Sequence, residues 1–199
     1  MENQPAPPPG NMLIVAAAFE GGLAILAVFV CWLQDRWALE TFHWNAMAAI
    51  CGAAAALPLL GLLVAGILFP HGPLGRLLNV LDQYVIPLFQ GCRLVDLILI
   101  SVLAGLGEEV FFRVAVQQWL ARDIGGLSGP WIGLAASAAV FGAAHWITPT
   151  YGVIAGLIGL YMGGLWLWSG NLLVPIGAHA LYDFLVLAYL VKIRQPART

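Results

Sequence analysis

The chain of 199 residues is poor in charge: Lys and Arg number 8, Asp and Glu 10, and charged residues make up 9% against 61% hydrophobic. An ordinary soluble domain carries about 25% charged residues, so that class is excluded. No cationic cluster is present to neutralise phosphates, and with a net charge of -2 no nucleic-acid partner is expected. Cysteine is scarce as well. Cys31, Cys51 and Cys92 are odd in number and well spaced, which fits neither a disulfide framework nor a CxxC metal site, and they read as small packing residues. No repeat of the whole chain is evident, which weakens an inverted-repeat transporter.

What the sequence does have is apolar length. The mean hydropathy is +0.90, and apolar runs cover residues 11–33, 45–69, 94–120, 130–147, 151–169 and 171–192. Crossing roughly 30 Å of hydrocarbon takes about 20 apolar residues in a helix. Lipid offers no partners for backbone groups, and these runs lack the alternation of a barrel strand, so an all-α, multi-pass transmembrane bundle of about six spans follows. Residues 1–10, "MENQPAPPPG", carry no Lys or Arg and are expected to be a disordered tail rather than the cationic start of a signal peptide. Residues 11–192 form one transmembrane domain, and 193–199 form a second tail. With six spans, Arg76, Arg93, Lys192, Arg194 and Arg198 fall on the side of the termini and Arg36 and Arg122 on the other. The excess of cations predicts cytoplasmic termini.

Between the second and third runs, residues 72–90 place Leu74, Leu77, Leu78, Leu81 and Val85 at roughly helical spacing among Arg76, Asp82 and Gln83. This predicts an amphipathic helix, either on the membrane surface or filling a gap in the bundle. Gly152, Gly156, Gly159 and Gly163 make one stripe without side chains, read as a surface for close helix packing. Trp146, Trp166 and Trp168 suit interfacial anchoring.

Against that background the ionisable residues within spans stand out, because each costs commonly about 2.5–3.5 kcal/mol to insert and is a functional candidate by default. Past residue 100 they are Glu108, Glu109, Arg113, His145, His179 and Asp183. Helical spacing puts Glu109 on the face of Arg113, Phe141 on that of His145, and His179 on that of Asp183, while Glu108 points about 100° away from Glu109. The two glutamates are therefore expected to do different jobs: Glu109 braces the helix by pairing with Arg113, and Glu108 faces the bundle interior. Glu108, His179 and Asp183 lie near mid-membrane by residue count and His145 nearer its helix end. Peptide hydrolysis needs an activated water, a group that passes its proton to the leaving amine, and donors for the oxyanion. One carboxylate and two imidazoles from three helices supply that set. For each alone a satisfied interior polar residue is the competing, lesser reading; the three together, so spaced, favour chemistry more strongly.

The motifs "EEVFFR" at 108–113, "FGAAH" at 141–145 and "HALYD" at 179–183, in this order across adjacent apolar spans, resemble the CPBP (ABI or CAAX-protease) family of intramembrane proteases. That family's pattern is EExxxR, FxxxH and HxxxN or HxxxD, and the resemblance covers about residues 94–190, the expected protease-like core. It implies a membrane-embedded endopeptidase acting on a hydrophobic or lipid-tethered peptide or protein. It also implies that Glu108 is the catalytic carboxylate, that His145 helps polarise the water, and that His179 with Asp183 lines the oxyanion side, with Glu109, Arg113 and Phe141 supporting. Where the prenyl-protein branch has Asn, this chain has Asp183, and an ionised Asp cannot donate to an oxyanion. No cofactor is the preferred expectation. Zinc on His145, His179 and Glu108 is the alternative, since a His₂Glu site with an open position suits a metalloprotease and no HExxH motif settles the matter. A proton-linked transporter or channel is the rival from another class. Glu20, beside Gly21 and Gly22, is left outside the site, and His43 and His71 are read as solvent-facing.

Overall fold

The structure is a computed structural model describing residues 9–194, so the expected tails lie, over 1–8 and 195–199, outside the described residues. The first two helices are α1 (Pro9–Leu33) and α2 (Ala46–Leu68). Asn45 caps α2 by accepting from the Ala48 N–H at 2.8 Å, which satisfies one of the orphan donors at a helix start. The amphipathic segment forms α3 (Gly72–Val80), a π-helical turn (Leu81–Val85) and α4 (Ile86–Phe89). Next comes α5 (Leu94–Glu109), which runs without a break through a π-helical stretch (Val110–Gln118) into α6 (Trp119–Ile124). Gly125 and Gly126, both at positive φ, end it, a conformation that costs glycine nothing. Last are α7 (Gly129–Ala144), α8 (Pro149–Ser169) and α9 (Leu173–Tyr189), the last extended by a π-helical turn (Leu190–Arg194).

Every apolar run has become a helix, and no strand occurs among the described residues. Four helices are long and apolar enough to cross a membrane: Leu13–Leu33, Ala46–Leu68, Pro149–Ser169 and Leu173–Arg194. The other two runs differ in an instructive way. The helix from Leu94 to Ile124 is long but carries Glu108, Glu109 and Arg113, and α7 has 16 residues, about 24 Å at the α-helical rise. The charged helix and the short helix are the ones that bear the first two motifs. Ile25, Leu57, Val153 and Leu157 are exposed, as an outer surface facing lipid requires. The protein is a membrane-embedded multi-pass helical bundle.

Helix α9 lies at the centre, packed on α2 and α5, while α7 pairs with α8 and α1 lies along α5 and its π-helical continuation. Lipid is as apolar as leucine, so helices in it associate where backbones can approach closely. The glycine stripe of α8 does this within the chain: a Cβ on Gly152 would meet the Trp146 ring and the Gly142 carbonyl, and one on Gly159 would stand 3.1 Å from Phe141. Trp146 and Trp168 are exposed near helix ends as expected, but Trp166 is buried, its indole N–H donating to Thr41 Oγ1 at 3.3 Å. All three cysteines are free thiols, and His43 and His71 are exposed.

Candidate active site

The site is organised by the sequence "AGLGEE" at the end of α5. A Cβ on Gly105 would lie 3.0 Å from Ala180 of α9, and one on Gly107 would lie 2.6 Å from the main-chain carbonyl of Glu20 on α1. Two glycines thus bring α9 and α1 hard against α5 just before the paired glutamates. Immediately beyond, the helix widens into the π-helical stretch at Val110, a distortion that is frequent at functional sites.

The two neighbouring carboxylates end in different surroundings. Glu109 is sealed, with a side chain that exposes 0% of its surface, and so is Arg113. Arg113 Nε donates to Glu109 Oε2 at 2.7 Å, and its Nη1 donates to Ser137 Oγ at 3.4 Å. Ser137 in turn donates to the Phe112 carbonyl at 2.8 Å. The expected brace is present, with a partner the spacing did not reveal: His179 Nδ1 donates to Glu109 Oε1 at 2.9 Å. Gly163 leaves room beside it, since a Cβ there would press on Gln117, Leu134 and Arg113, and its carbonyl accepts from the Gln117 amide at 3.2 Å. A buried charge is tolerated when paired and hydrogen-bonded, and here one carboxylate ties α5 to α9.

Glu108 faces the other way, onto a cavity of about 150 Å³ that His145, His179 and Asp183 also line. Its Oε2 is buried without a hydrogen-bond partner, and its Oε1 stands 3.8 Å from His145 Nε2. Helix α7 ends at Ala144, so His145 belongs to the cap, and its ring turns back to donate from Nδ1 to the Phe141 carbonyl at 2.9 Å while stacking on the Phe141 ring at 4.4 Å. That bond fixes the tautomer: in the neutral ring Nε2, the nitrogen towards Glu108, is the acceptor. Phe141 also meets the edge of His179 at 6.3 Å and lies under Arg113 at 5.8 Å, so one aromatic ring is wedged among all three groups. His179 Nε2 faces Asp183 Oδ2 at 3.4 Å. Of the seven residues the sequence singles out, Glu108, His145, His179, Asp183 and Phe141 meet at the cavity, and Glu109 and Arg113 stand behind it.

Other residues here were not assigned to the site by the sequence. The amphipathic segment closes the cavity with Leu77 and Leu81. It is tied down by Arg76 Nε donating to Thr150 Oγ1 at 2.8 Å and by the Arg194–Asp82 ion pair at 2.7 Å. Tyr151 and Tyr182 line the cavity as well; Tyr182 sits inside the third motif but reads there as one more aromatic residue of a membrane helix. Glu20 is closer to the chemistry than its place in the chain suggests. It does not line the cavity, yet its Oε2 is buried and unpartnered, and it interacts electrostatically with Glu108, His179 and Asp183. For zinc, the donor types fit but the arrangement does not: no group of three His, Cys, Asp or Glu side chains among the described residues is disposed to hold a metal ion. One imidazole nitrogen of each histidine is already engaged.

Residues 90–185, just under half of the chain, match the family model described as type II CAAX prenyl endopeptidase Rce1-like. The match contains all three motifs, and with them Glu108, Glu109, Arg113, Phe141, His145, His179 and Asp183, while Glu20, Leu77 and Leu81 lie before it. No curated protein and no solved structure matches the chain.

Proposed function

We propose, from the premise that the chain belongs to the CPBP family of intramembrane proteases, that it hydrolyses a peptide bond in a hydrophobic or lipid-tethered protein, using water activated by Glu108 and His145. The observation that carries this reading is the Glu108 carboxylate, buried with one oxygen unpartnered and the other 3.8 Å from the acceptor nitrogen of His145, both on a cavity. That separation is too long for a direct hydrogen bond and leaves room for a water that donates to both.

The steps follow from these positions. Glu108 takes one proton from the water as its oxygen attacks the carbonyl carbon, and His145 Nε2 holds the second O–H in line. The carbonyl π pair moves onto oxygen. When the tetrahedral intermediate collapses, the C–N bond breaks and Glu108 returns the proton to the departing nitrogen. His179 and Asp183 border the oxyanion side, and Glu109 with Arg113 holds the His179 ring in place. No step is routed through a metal. The apolar wall of Leu77, Leu81 and Ile158 suits a lipidated or hydrophobic chain. The excess of Arg76, Arg93, Lys192 and Arg194 over Arg36 and Arg122 supports an orientation with the termini, and the side on which the site opens, in the cytoplasm.

The test is purified protein in proteoliposomes with a farnesylated CAAX peptide and with unlipidated hydrophobic peptides, with and without chelator. Cleavage that survives chelator and is absent with Glu108→Gln supports the reading. Activity lost to chelator and restored by zinc would replace it with the zinc-dependent version. Ion flux with no cleavage of any peptide would replace it with a transporter.

A further inference from the structure

Hydrolysis as proposed above, on which this inference rests, needs a hydrogen-bond donor for the oxyanion, and the residues assigned so far are short of one. His145 Nδ1 is taken by the Phe141 carbonyl and its Nε2 faces Glu108. His179 Nδ1 is taken by Glu109 and its Nε2 faces Asp183. Position 183, where an amide would donate, holds a carboxylate, which accepts. Arg113 is sealed between Glu109 and Ser137, away from the cavity wall.

The uncommitted donors on the cavity are two phenols. Tyr151 and Tyr182 both line it, and neither hydroxyl has a hydrogen-bond partner among the described residues. Neither hydroxyl is among the buried atoms left unsatisfied, so each is accessible on a residue that lines the cavity. They are not equivalent. Tyr151 interacts electrostatically with both Glu108 and Asp183, the two sides between which a scissile carbonyl must lie, whereas Tyr182 interacts with Asp183 and with Tyr151 itself. Tyr151 also stands at a helix N-terminus. It sits in the first turn of α8, where its N–H donates to the capping hydroxyl of Thr148 at 3.2 Å. The positive end of that helix dipole favours negative charge nearby.

We infer that Tyr151 is a catalytic residue that donates its phenolic O–H to the oxyanion, taking the place of the amide that Asp183 lacks. The phenol keeps its proton throughout: it donates while the carbonyl oxygen carries the negative charge and relaxes when the C=O bond re-forms and the C–N pair leaves with the proton from Glu108.

The experiment compares wild-type protein, Glu108→Gln, Tyr151→Phe, and Tyr151→Phe combined with Asp183→Asn, on the farnesylated CAAX peptide. Tyr151→Phe should lower kcat about 10²–10³-fold, the range for deleting one oxyanion donor, with KM and melting temperature unchanged. Adding Asp183→Asn should recover about tenfold or more, because the new amide supplies a donor. A merely structural tyrosine would show its loss in the melting temperature and would gain nothing from the second change. The inference is overturned if Tyr151→Phe turns over like wild type while Glu108→Gln is inert, or if the double variant is no better than the single one. A wild-type protein that cleaves nothing overturns the hydrolytic reading and this inference with it.

Discussion

Glu108 and Glu109 are chemically identical neighbours in one helix, yet one is walled into a dry lattice and the other stands on a cavity with an oxygen unpartnered. Around Glu109 the acceptors are met by Arg113 and His179, and side-chain exposure is zero. Around Glu108 the nearest basic side-chain nitrogen, His145 Nε2, is 3.8 Å away. The difference comes from the 100° step between consecutive helix residues, which aims one carboxylate at α9 and the other at the space between α7, α8 and α3. Stability and chemistry are thereby assigned to separate residues one position apart, and removing either charge should break the molecule in a different way.

The largest effect is expected at Glu108. Glu108→Gln should cut turnover about 10³-fold or more, the scale of losing a general base, in a protein that melts like wild type; peptide cleavage and a thermal shift on one preparation check both halves. Next comes Glu109→Gln, which leaves the Arg113 charge uncompensated in a sealed site. Breaking such a pair costs about 3–5 kcal/mol, so a lower melting temperature and a lower folded yield are expected, with most of the activity loss following the folded fraction and a smaller loss per folded molecule from the weakened hold on His179. His145→Gln should slow cleavage about 10²-fold with the fold retained, since its partners are a helix-end carbonyl and the ring of Phe141. The smallest effect belongs far from both glutamates: Asp82→Asn removes a partly exposed ion pair with Arg194, for which about 1 kcal/mol or less is expected, read as a shift of the melting curve with little change in kcat.

The same comparison shows how far the sequence could be read. Periodicity separated Glu108 from Glu109 and paired Glu109 with Arg113, because i, i+4 geometry is local and survives in any bundle. It could not show that His179 is the second partner of Glu109, since that contact joins residues 70 apart. It placed His145 shallow in its helix, and the ring reaches Glu108 because α7 stops at Ala144 and the cap folds inward. Hydropathy found the long helices, but the longest apolar run and the shortest proved to be the two that carry the first two motifs rather than plain spans. The glycine stripe of α8 was legible as a packing surface; the cavity-closing role of Leu77 and Leu81 was not, because amphipathicity says that a face is covered and not by what. Tyr151 and Tyr182 were invisible for the same reason: an aromatic residue in a membrane helix is the ordinary case.

The central claim, that Glu108 lies open to chemistry while Glu109 is closed, is tested most directly by labelling with dicyclohexylcarbodiimide, which attacks accessible carboxyls in apolar surroundings, followed by mass spectrometry and a cleavage assay on the same sample. The expected result is adduct on Glu108, none on Glu109, and cleavage lost in proportion to the Glu108 labelled. Adduct on Glu109, or full cleavage by protein labelled at Glu108, would contradict the account.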